Sequence, residues 1–235
     1  MIYLLNAQDQ LVGCTSYCDI AKKDNKPIVA SAIEVNVESV IVQKPDMVIA
    51  TSITKPSTIE AIKKVGIKVL VLSTPKTFHE ICTQLIEVGK MAGKEKIARD
   101  IVNKQEQRLT LLQQKIPKGE HPKVFMQIGA KPIFTVLSNT FMDDFITYSG
   151  GQNIASDLTH GTMTRESVLL RNPDVIIIAT MGITSEDEKK SWAAYGNINA
   201  IKKGKVFMID SSQSCGPTPV DFADLIEVLI KQIYN

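Results

Sequence analysis

The chain has 235 residues, of which 44% are hydrophobic and 22% charged, and its formal net charge at pH 7 is +2. This length is enough for one large core or for two small lobes. Because basic and acidic residues are interspersed, the composition excludes a nucleic-acid partner, and no apolar run reaches the ~18 residues that span a bilayer.

The first residues, Met1 to Asn6, lack the basic region and cleavage site of an export signal. Taken alone, this start indicates a cytoplasmic protein or a trimmed chain. We predict the tail of a helix over Ile2–Leu5, a short strand over Leu11–Thr15 and a loop over Ser16–Asp19.

A twelve-residue segment occurs twice. Glu38 to Ile49 reads ESVIVQKPDMVI and Glu166 to Ile177 reads ESVLLRNPDVII, with six of twelve positions identical. In each copy about two helical turns end before a proline, because the residue that precedes proline disfavours the α region. The apolar run that follows is typical of a strand buried on both faces of a parallel sheet.

The similarity between the two halves extends beyond this repeat. Ala61–Val69 resembles Ala200–Val206, and Ile28–Ser31 corresponds to Ile154–Ser156. Three blocks in the same order indicate two halves that are built alike.

The longest helical pattern runs from Lys94 to Lys115 and would span about 33 Å at 1.5 Å per residue. It is long enough to bridge two lobes. We therefore predict an N-terminal lobe over 1–93, a connecting helix over 94–116 and a C-terminal lobe over 117–235.

Other elements follow from amphipathic patterns and turn residues. In the first half these are helices over Pro56–Val65 and Thr77–Ala92 with a strand over Val69–Leu72. In the second half they are a strand over Val124–Ile128, a loop through Gly129, Pro132 and Phe134, a helix over Phe141–Tyr148, an irregular segment over Thr184–Asn199, a strand over Val206–Asp210 and a closing helix over Val220–Tyr234.

No catalytic signature is present: the sequence lacks GxGxxG, the Walker A motif, GxSxG and HExxH. Cys14 and Cys18 can chelate a metal or form a tight disulfide, but buried free thiols are the favoured interpretation. His160 lies in a loop before the second repeat, where it either faces a ligand or is an ordinary loop residue.

The two repeated glutamates, Glu38 and Glu166, have two interpretations. Each can be a helix-start acid favoured by the helix dipole, which requires no partner. A matched acid on each of two similar lobes is also what a two-fold symmetric basic partner requires.

An ordered set of motifs resembles the helical-backbone (class III) substrate-binding proteins of ABC importers, which serve iron-siderophores, haem and cobalamin. The similarity covers nearly the whole chain. The motifs are Leu11–Asp19, Asn36–Ala50, Ile59–Val69, Gly150–Ala155, Glu166–Ile177 and Gly216-Pro217 before a helix.

This resemblance implies an α/β fold with two parallel-sheet lobes, one long rigid connecting helix and a ligand cleft between the lobes. It implies that Glu38 and Glu166 contact arginines on a membrane permease dimer. It also implies an export signal and a first strand that this chain does not contain.

For the ligand site, the resemblance points to Tyr17, which matches one cleft aromatic of the cobalamin binders. The other aromatics are replaced by Ala32, Thr51 and Gln213, with His160 where a tryptophan stands in relatives. No arginine cluster marks a pocket for carboxylate or catecholate siderophores.

We therefore expect Tyr17 and Phe134 to make apolar contacts with the ligand, Thr51 to line the site, and His160 and Gln213 to make polar or metal contacts. The expected ligand is an iron chelate, haem, a corrinoid or a related metal complex, without a resident cofactor or metal.

The predicted function is that of a monomeric solute-binding protein outside the cytoplasm that delivers its ligand to an ABC permease and catalyses nothing. One alternative is an α/β enzyme acting at the cleft with Cys14, Cys18 and His160. Another is an intracellular metal-complex chaperone, if Met1 is the true start.

Overall fold

The computed structural model describes residues 1–31, 34–179, 185–210 and 214–234. By its internal contacts the chain divides into two compact units. Unit 1 consists of Met1–Thr74 and Ile86–Ala98, and unit 2 consists of Pro75–Leu85 and Arg99–Asn235.

In unit 1, short strands and helices alternate along the chain. They are β1 (Cys14–Thr15), α1 (Asp19–Lys23), β2 (Ile28–Ala30), α2 (Val37–Val42), β3 (Met47–Thr51), α3 (Pro56–Lys64) and β4 (Lys68–Leu72). β1 pairs with β2, and β3 pairs with β4, both in parallel. Each parallel pair is joined through a helix, as parallel strands require, so unit 1 has the predicted α/β character.

The helix α3 shows how local sequence sets these elements. Pro56 occupies its first position, where a missing N–H costs nothing. Gly66 follows its end with a φ of 85°, a conformation that glycine adopts without strain. Ile62, 1% exposed, is its buried anchor.

The strand of the first repeat is less buried than predicted. Of its residues only Ala50 is buried, at 7% exposure, while Ile49 is 41% exposed. The prediction of burial on both faces is therefore wrong for this copy. Among the described residues β3 pairs only with β4, and a two-stranded sheet leaves much of its surface uncovered.

Two longer helices follow, α4 (Phe78–Met91) and α5 (Glu95–Gln113), and the division between the units falls within both. Gly89 and Ala98 bring them close together, since a Cβ at Gly89 would lie 2.6 Å from the Ala98 Cβ. Gln105 is a polar residue on the buried side of α5, at 5% exposure. The connecting role of 94–116 stays a prediction.

Unit 2 contains a six-stranded mixed sheet. Its elements are β5 (Lys123–Ala130), β6 (Ile133–Thr135), α6 (Phe141–Tyr148), β7 (Gln152–Asn153), β8 (Thr162–Met163), α7 (Arg165–Arg171), β9 (Val175–Ile178), α8 (Ser185–Ala193), α9 (Asn199–Lys202), β10 (Val206–Met208) and α10 (Pro219–Tyr234). The strand order is β10-β9-β5-β6-β8, and β7 pairs with the start of β5. β7, β9 and β10 run parallel to β5, whereas β6 is antiparallel to both β5 and β8.

The strand of the second repeat confirms the prediction for that copy. All four residues of β9 are fully buried, as expected for the centre of a parallel sheet covered on both faces.

α5 is linked to α10 by ion pairs, because the Arg108 guanidinium of α5 contacts the carboxylates of Asp224 and Glu227.

Several elements of unit 2 were not predicted, among them β6, β7, β8 and α8. β6 lies in a segment that was predicted to be a loop. Gly129 and Pro132 indicated a turn there, and a strand of only three residues shows no periodic pattern. α8 lies in the segment assigned as irregular, and its polar sequence hides a helix whose buried side holds Glu188 and Trp192. The amino-terminal segment Ile2–Leu5 forms turns and no helix.

None of the helices formed by the described residues has both the length and the apolar character needed to cross a membrane.

Candidate functional site

The first repeated glutamate lies in the opening turn of α2 and is exposed. Asn36 caps this helix, because its side-chain oxygen accepts a hydrogen bond from the Ser39 N–H at 2.9 Å. Val40 turns inward and is 4% exposed. The helix is thus fixed by its cap and its buried valine, and Glu38 projects from it into solvent.

The second repeated glutamate has the same position in α7. Thr164 caps this helix by accepting a hydrogen bond from the Ser167 N–H, and Val168 is fully buried. Glu166 is exposed. Hydrogen bonds from its own backbone N–H and from the Thr164 hydroxyl hold the pKa of Glu166 below its usual value, so the group is ionised at neutral pH.

Both repeats end their helix in the same unusual backbone conformation. Lys44 and Asn172, each directly before the proline, have a φ of 47°. The predicted end of the helical turns is therefore confirmed, but through the left-handed region and not through extended backbone. Asn tolerates this region better than lysine does.

The aspartate after the second proline has a structural role. Asp174 accepts hydrogen bonds from the Lys123 N–H at 3.0 Å, from the Asn199 side chain at 3.1 Å and from Lys203 Nζ at 2.7 Å. Burial alone would raise the pKa of Asp174, but these bonds outweigh it and lower the pKa.

Two predicted ligand residues lie on unit 1, each at the carboxyl end of a parallel strand. Tyr17 follows β1 and is 76% exposed, and Thr51 is the last residue of β3 and also exposed. Ligands of open α/β sheets bind outside the carboxyl ends of the strands. The positions of both residues suit ligand contact.

Two further predicted ligand residues lie on unit 2, in segments that backbone pairing brings together. Phe134, 42% exposed, lies in β6 opposite Thr162 of β8. The exposed His160 comes just before β8, and its neighbour Gly161 accepts a hydrogen bond from the Thr135 N–H at 2.7 Å.

The fifth predicted residue, Gln213, lies outside the described residues, as does Ala32. Tyr17 and Phe134 share a further property. Every aromatic residue of the chain lies in the described part, and these two alone are exposed.

A buried polar network that sequence reasoning missed fixes the start of α7. Gln127 of β5 is fully buried; its amide donates to Glu188 Oε2 at 2.9 Å and its oxygen accepts from Trp192 Nε1 at 2.7 Å. Arg165, the first residue of α7, donates to the same Glu188 oxygen at 2.7 Å, and its guanidinium lies 4.6 Å from the Trp192 ring centroid.

One signal could have revealed this network. Gln127 interrupts an otherwise apolar strand, and a buried amide requires partners. Glu188 and Trp192 are four residues apart and therefore share one helix face.

Two surface grooves lie on unit 2, with volumes of about 510 and 480 Å³. The larger runs along the end of α7 and the segment after α8, lined by Leu169, Leu170, Tyr195 and Ile198. The smaller contains His121, Asp143 and Asn153. Neither groove contains a predicted ligand residue.

Comparison with known proteins decides the family. The sequence profile of periplasmic binding proteins matches residues 1–213. The chain belongs to the periplasmic binding protein family.

Relatives within this family agree with the predicted transport role. The chain is 30% identical to the ABC transporter substrate-binding lipoprotein YvrC of Bacillus subtilis, over 99% of this chain and 76% of that protein. It is 25% identical to the vitamin B12-binding protein of Yersinia pestis, over 76% of this chain and 65% of that protein.

The fold agrees as well. The crystal structure of the periplasmic heme-binding protein HutB of Vibrio cholerae superposes with a TM-score of 0.89 at 19% identity, covering 100% of this chain and 94% of that one. The predicted family and the predicted α/β fold class are both confirmed. The predicted function of a solute-binding protein is supported over its alternatives, because the Bacillus subtilis relative is an ABC transporter substrate-binding lipoprotein and the Yersinia pestis relative a vitamin B12-binding protein.

The thiols offer little to the alternative hypothesis of an enzyme. Burial raises the pKa of Cys14, whose Sγ donates to the Lys26 carbonyl oxygen at 3.7 Å. A buried thiol with a raised pKa is a poor nucleophile. Cys14 and Cys82 are buried free thiols as predicted, whereas Cys18 is partly exposed and Cys215 exposed.

Proposed function

We propose that this protein is the solute-binding component of an ABC importer, which captures a flat metal complex and delivers it to a membrane permease dimer. The single observation that carries the proposal is the repeated capped helix, which presents an exposed glutamate on each unit. In this role the protein works as a monomer outside the cytoplasmic membrane, and it makes and breaks no bond.

The ligand class follows from the exposed side chains. Tyr17 and Phe134 offer flat apolar surfaces, which suit a macrocycle better than a small hydrophilic solute. His160 supplies an imidazole that can contact a metal centre, and Thr51 and Gln213 add polar contacts. Haem and corrinoids combine a flat macrocycle with a metal centre, and the names of a vitamin B12-binding relative and a heme-binding structural neighbour support this class. An iron chelate is the third candidate.

A thermal-shift screen tests ligand capture. Hemin, cyanocobalamin and a ferric hydroxamate chelate are each added to the purified protein. At a hundredfold excess over Kd, a ligand stabilises the folded state by about 2.7 kcal/mol, which corresponds to roughly 5–10 °C at this chain length. Tyr17→Ser and Phe134→Ser should each reduce the shift, while Leu111→Ser, a change at an exposed leucine of α5, should not. The absence of a shift with all three probes would contradict the ligand class.

Charge reversal tests docking. Combined Glu38→Lys and Glu166→Lys substitutions should abolish uptake of the ligand and leave its affinity for the protein unchanged. Glu87→Lys, at an exposed glutamate of α4, is the matched control. Unchanged uptake by the double variant would refute docking through these glutamates.

A further inference from the structure

Each repeated glutamate is followed, four residues later, by an exposed apolar side chain. Val42 lies at the end of α2 and is 72% exposed, and Leu170 of α7 is 88% exposed. The two positions correspond without gaps in the repeat. Residues four apart on a helix are neighbours, with about 5–6 Å between their Cβ atoms, so each glutamate and its apolar neighbour form one surface. We name these the acid–apolar pairs.

Folding does not account for the apolar member of each pair. Leu170 is the most exposed large apolar side chain among the described residues. Tyr17 follows at 76%, and Val42 and Ile53 come next, each at 72%. The buried side of each helix is provided by Val40 and Val168. The solvent side of an amphipathic helix normally carries polar residues. A single exposed leucine would need no explanation, but the same departure at the same position of both repeats does.

We infer that the acid–apolar pairs are the contact units with which this protein docks on its permease. Each half of the permease then offers a cationic side chain for the glutamate and an apolar side chain about one helical turn away. This inference rests on the proposed function and adds to it the chemistry of the partner surface.

The contact on unit 2 extends into a preformed space. Leu170 lines the groove of about 510 Å³ together with Leu169, Tyr195 and Ile198. A bulky apolar side chain of the permease enters this groove. Because leucine is larger than valine and borders the groove, the pair on α7 contributes more to binding than the pair on α2.

Binding of the protein to its cognate permease in lipid nanodiscs tests the inference. Kd is measured at 50 and 300 mM NaCl for the wild type, Val42→Ser, Leu170→Ser and their combination. We expect binding about tenfold weaker for Leu170→Ser, a smaller loss for Val42→Ser and roughly the product of the two for the combination. The salt dependence should remain that of the wild type, whereas combined Glu38→Gln and Glu166→Gln should reduce it, because salt screens only the charged contact.

Leu111→Ser is the matched control, because Leu111 is 60% exposed but lies outside the repeat. Melting temperatures of all variants should stay within about 2 °C of the wild type. The inference is wrong if the Val42→Ser and Leu170→Ser combination binds like the wild type while the glutamine variants bind weakly; the proposed function then survives. It is also wrong if Leu170→Ser instead disrupts a dimer of this chain in sedimentation. Failure of the wild type itself to bind the permease would overturn both proposals.

Discussion

Replacement of Glu188 by alanine measures how firmly the buried network holds the first turn of α7. Glu188 is 6% exposed and accepts hydrogen bonds from Gln127 and Arg165. Removal of one partner of a fully buried ion pair costs about 3–5 kcal/mol. The cost here is smaller, because the Arg165 side chain is 21% exposed to water and the Gln127 amide also donates to the Gly129 carbonyl. We therefore expect a loss of about 2–3 kcal/mol in the free energy of unfolding.

The network contains its own reporter for this measurement. Trp192 is the only tryptophan of the chain and is fully buried beside Glu188. Urea unfolding followed by its fluorescence should show a lower midpoint for Glu188→Ala. Glu186→Ala, an exposed position on the same helix, should stay within about 0.5 kcal/mol of the wild type. Equal midpoints for the two variants would refute the argument that Glu188 is a structural anchor.

Two further predictions concern the left-handed conformation of Lys44 and the ion pairs between Arg108 and α10. Lys44→Asn should stabilise the protein by about 0.5–1 kcal/mol in thermal unfolding, because Asn tolerates a φ of 47° better than lysine does; a loss equal to that of Lys64→Asn in α3 would contradict this. Hydrogen bonds from Arg108 and Lys231 lower the pKa of Glu227 from 4.5 to about 2. Since this pKa is lower in the folded state, the stabilisation is complete above about pH 4.5 and disappears as the pH falls toward 2. Arg108→Ala should lower the free energy of unfolding at neutral pH and make it depend less steeply on pH between 4.5 and 2. An unchanged dependence on pH in this range would disprove the stabilising role of the Glu227 pKa shift.

The repeat explains why much of the fold could be predicted. Proline and glycine mark the ends of α2, α3 and α7 through backbone preferences that act within a few residues, so their boundaries were found to within one or two residues. β6 and α8 were missed for the opposite reason. Three residues show no periodicity, and α8 becomes a helix with a buried side only through contacts with Gln127 and Arg165, which are 61 and 23 residues from Glu188.

The same limit applies to the candidate site. Tyr17, Phe134 and His160 were predicted as ligand contacts, Tyr17 through the family resemblance, and the structure places all three in exposed positions. Sequence spacing could not show that Phe134 and the residue next to His160 lie on paired backbone, because the β6–β8 pairing depends on a strand that was assigned to a loop. Long-range pairing is a property of the folded chain, and no local pattern encodes it.

The two copies of the repeat separate what folding requires from what it does not. Folding accounts for the buried Val40 and Val168, and the left-handed residues before proline are needed to end each helix. An exposed position, in contrast, is under no such constraint from folding. The acid–apolar pairs are exposed in both copies and match in character in both. Contacts within the protein do not demand that match, and this supports the inference of a partner that meets both surfaces with the same chemistry.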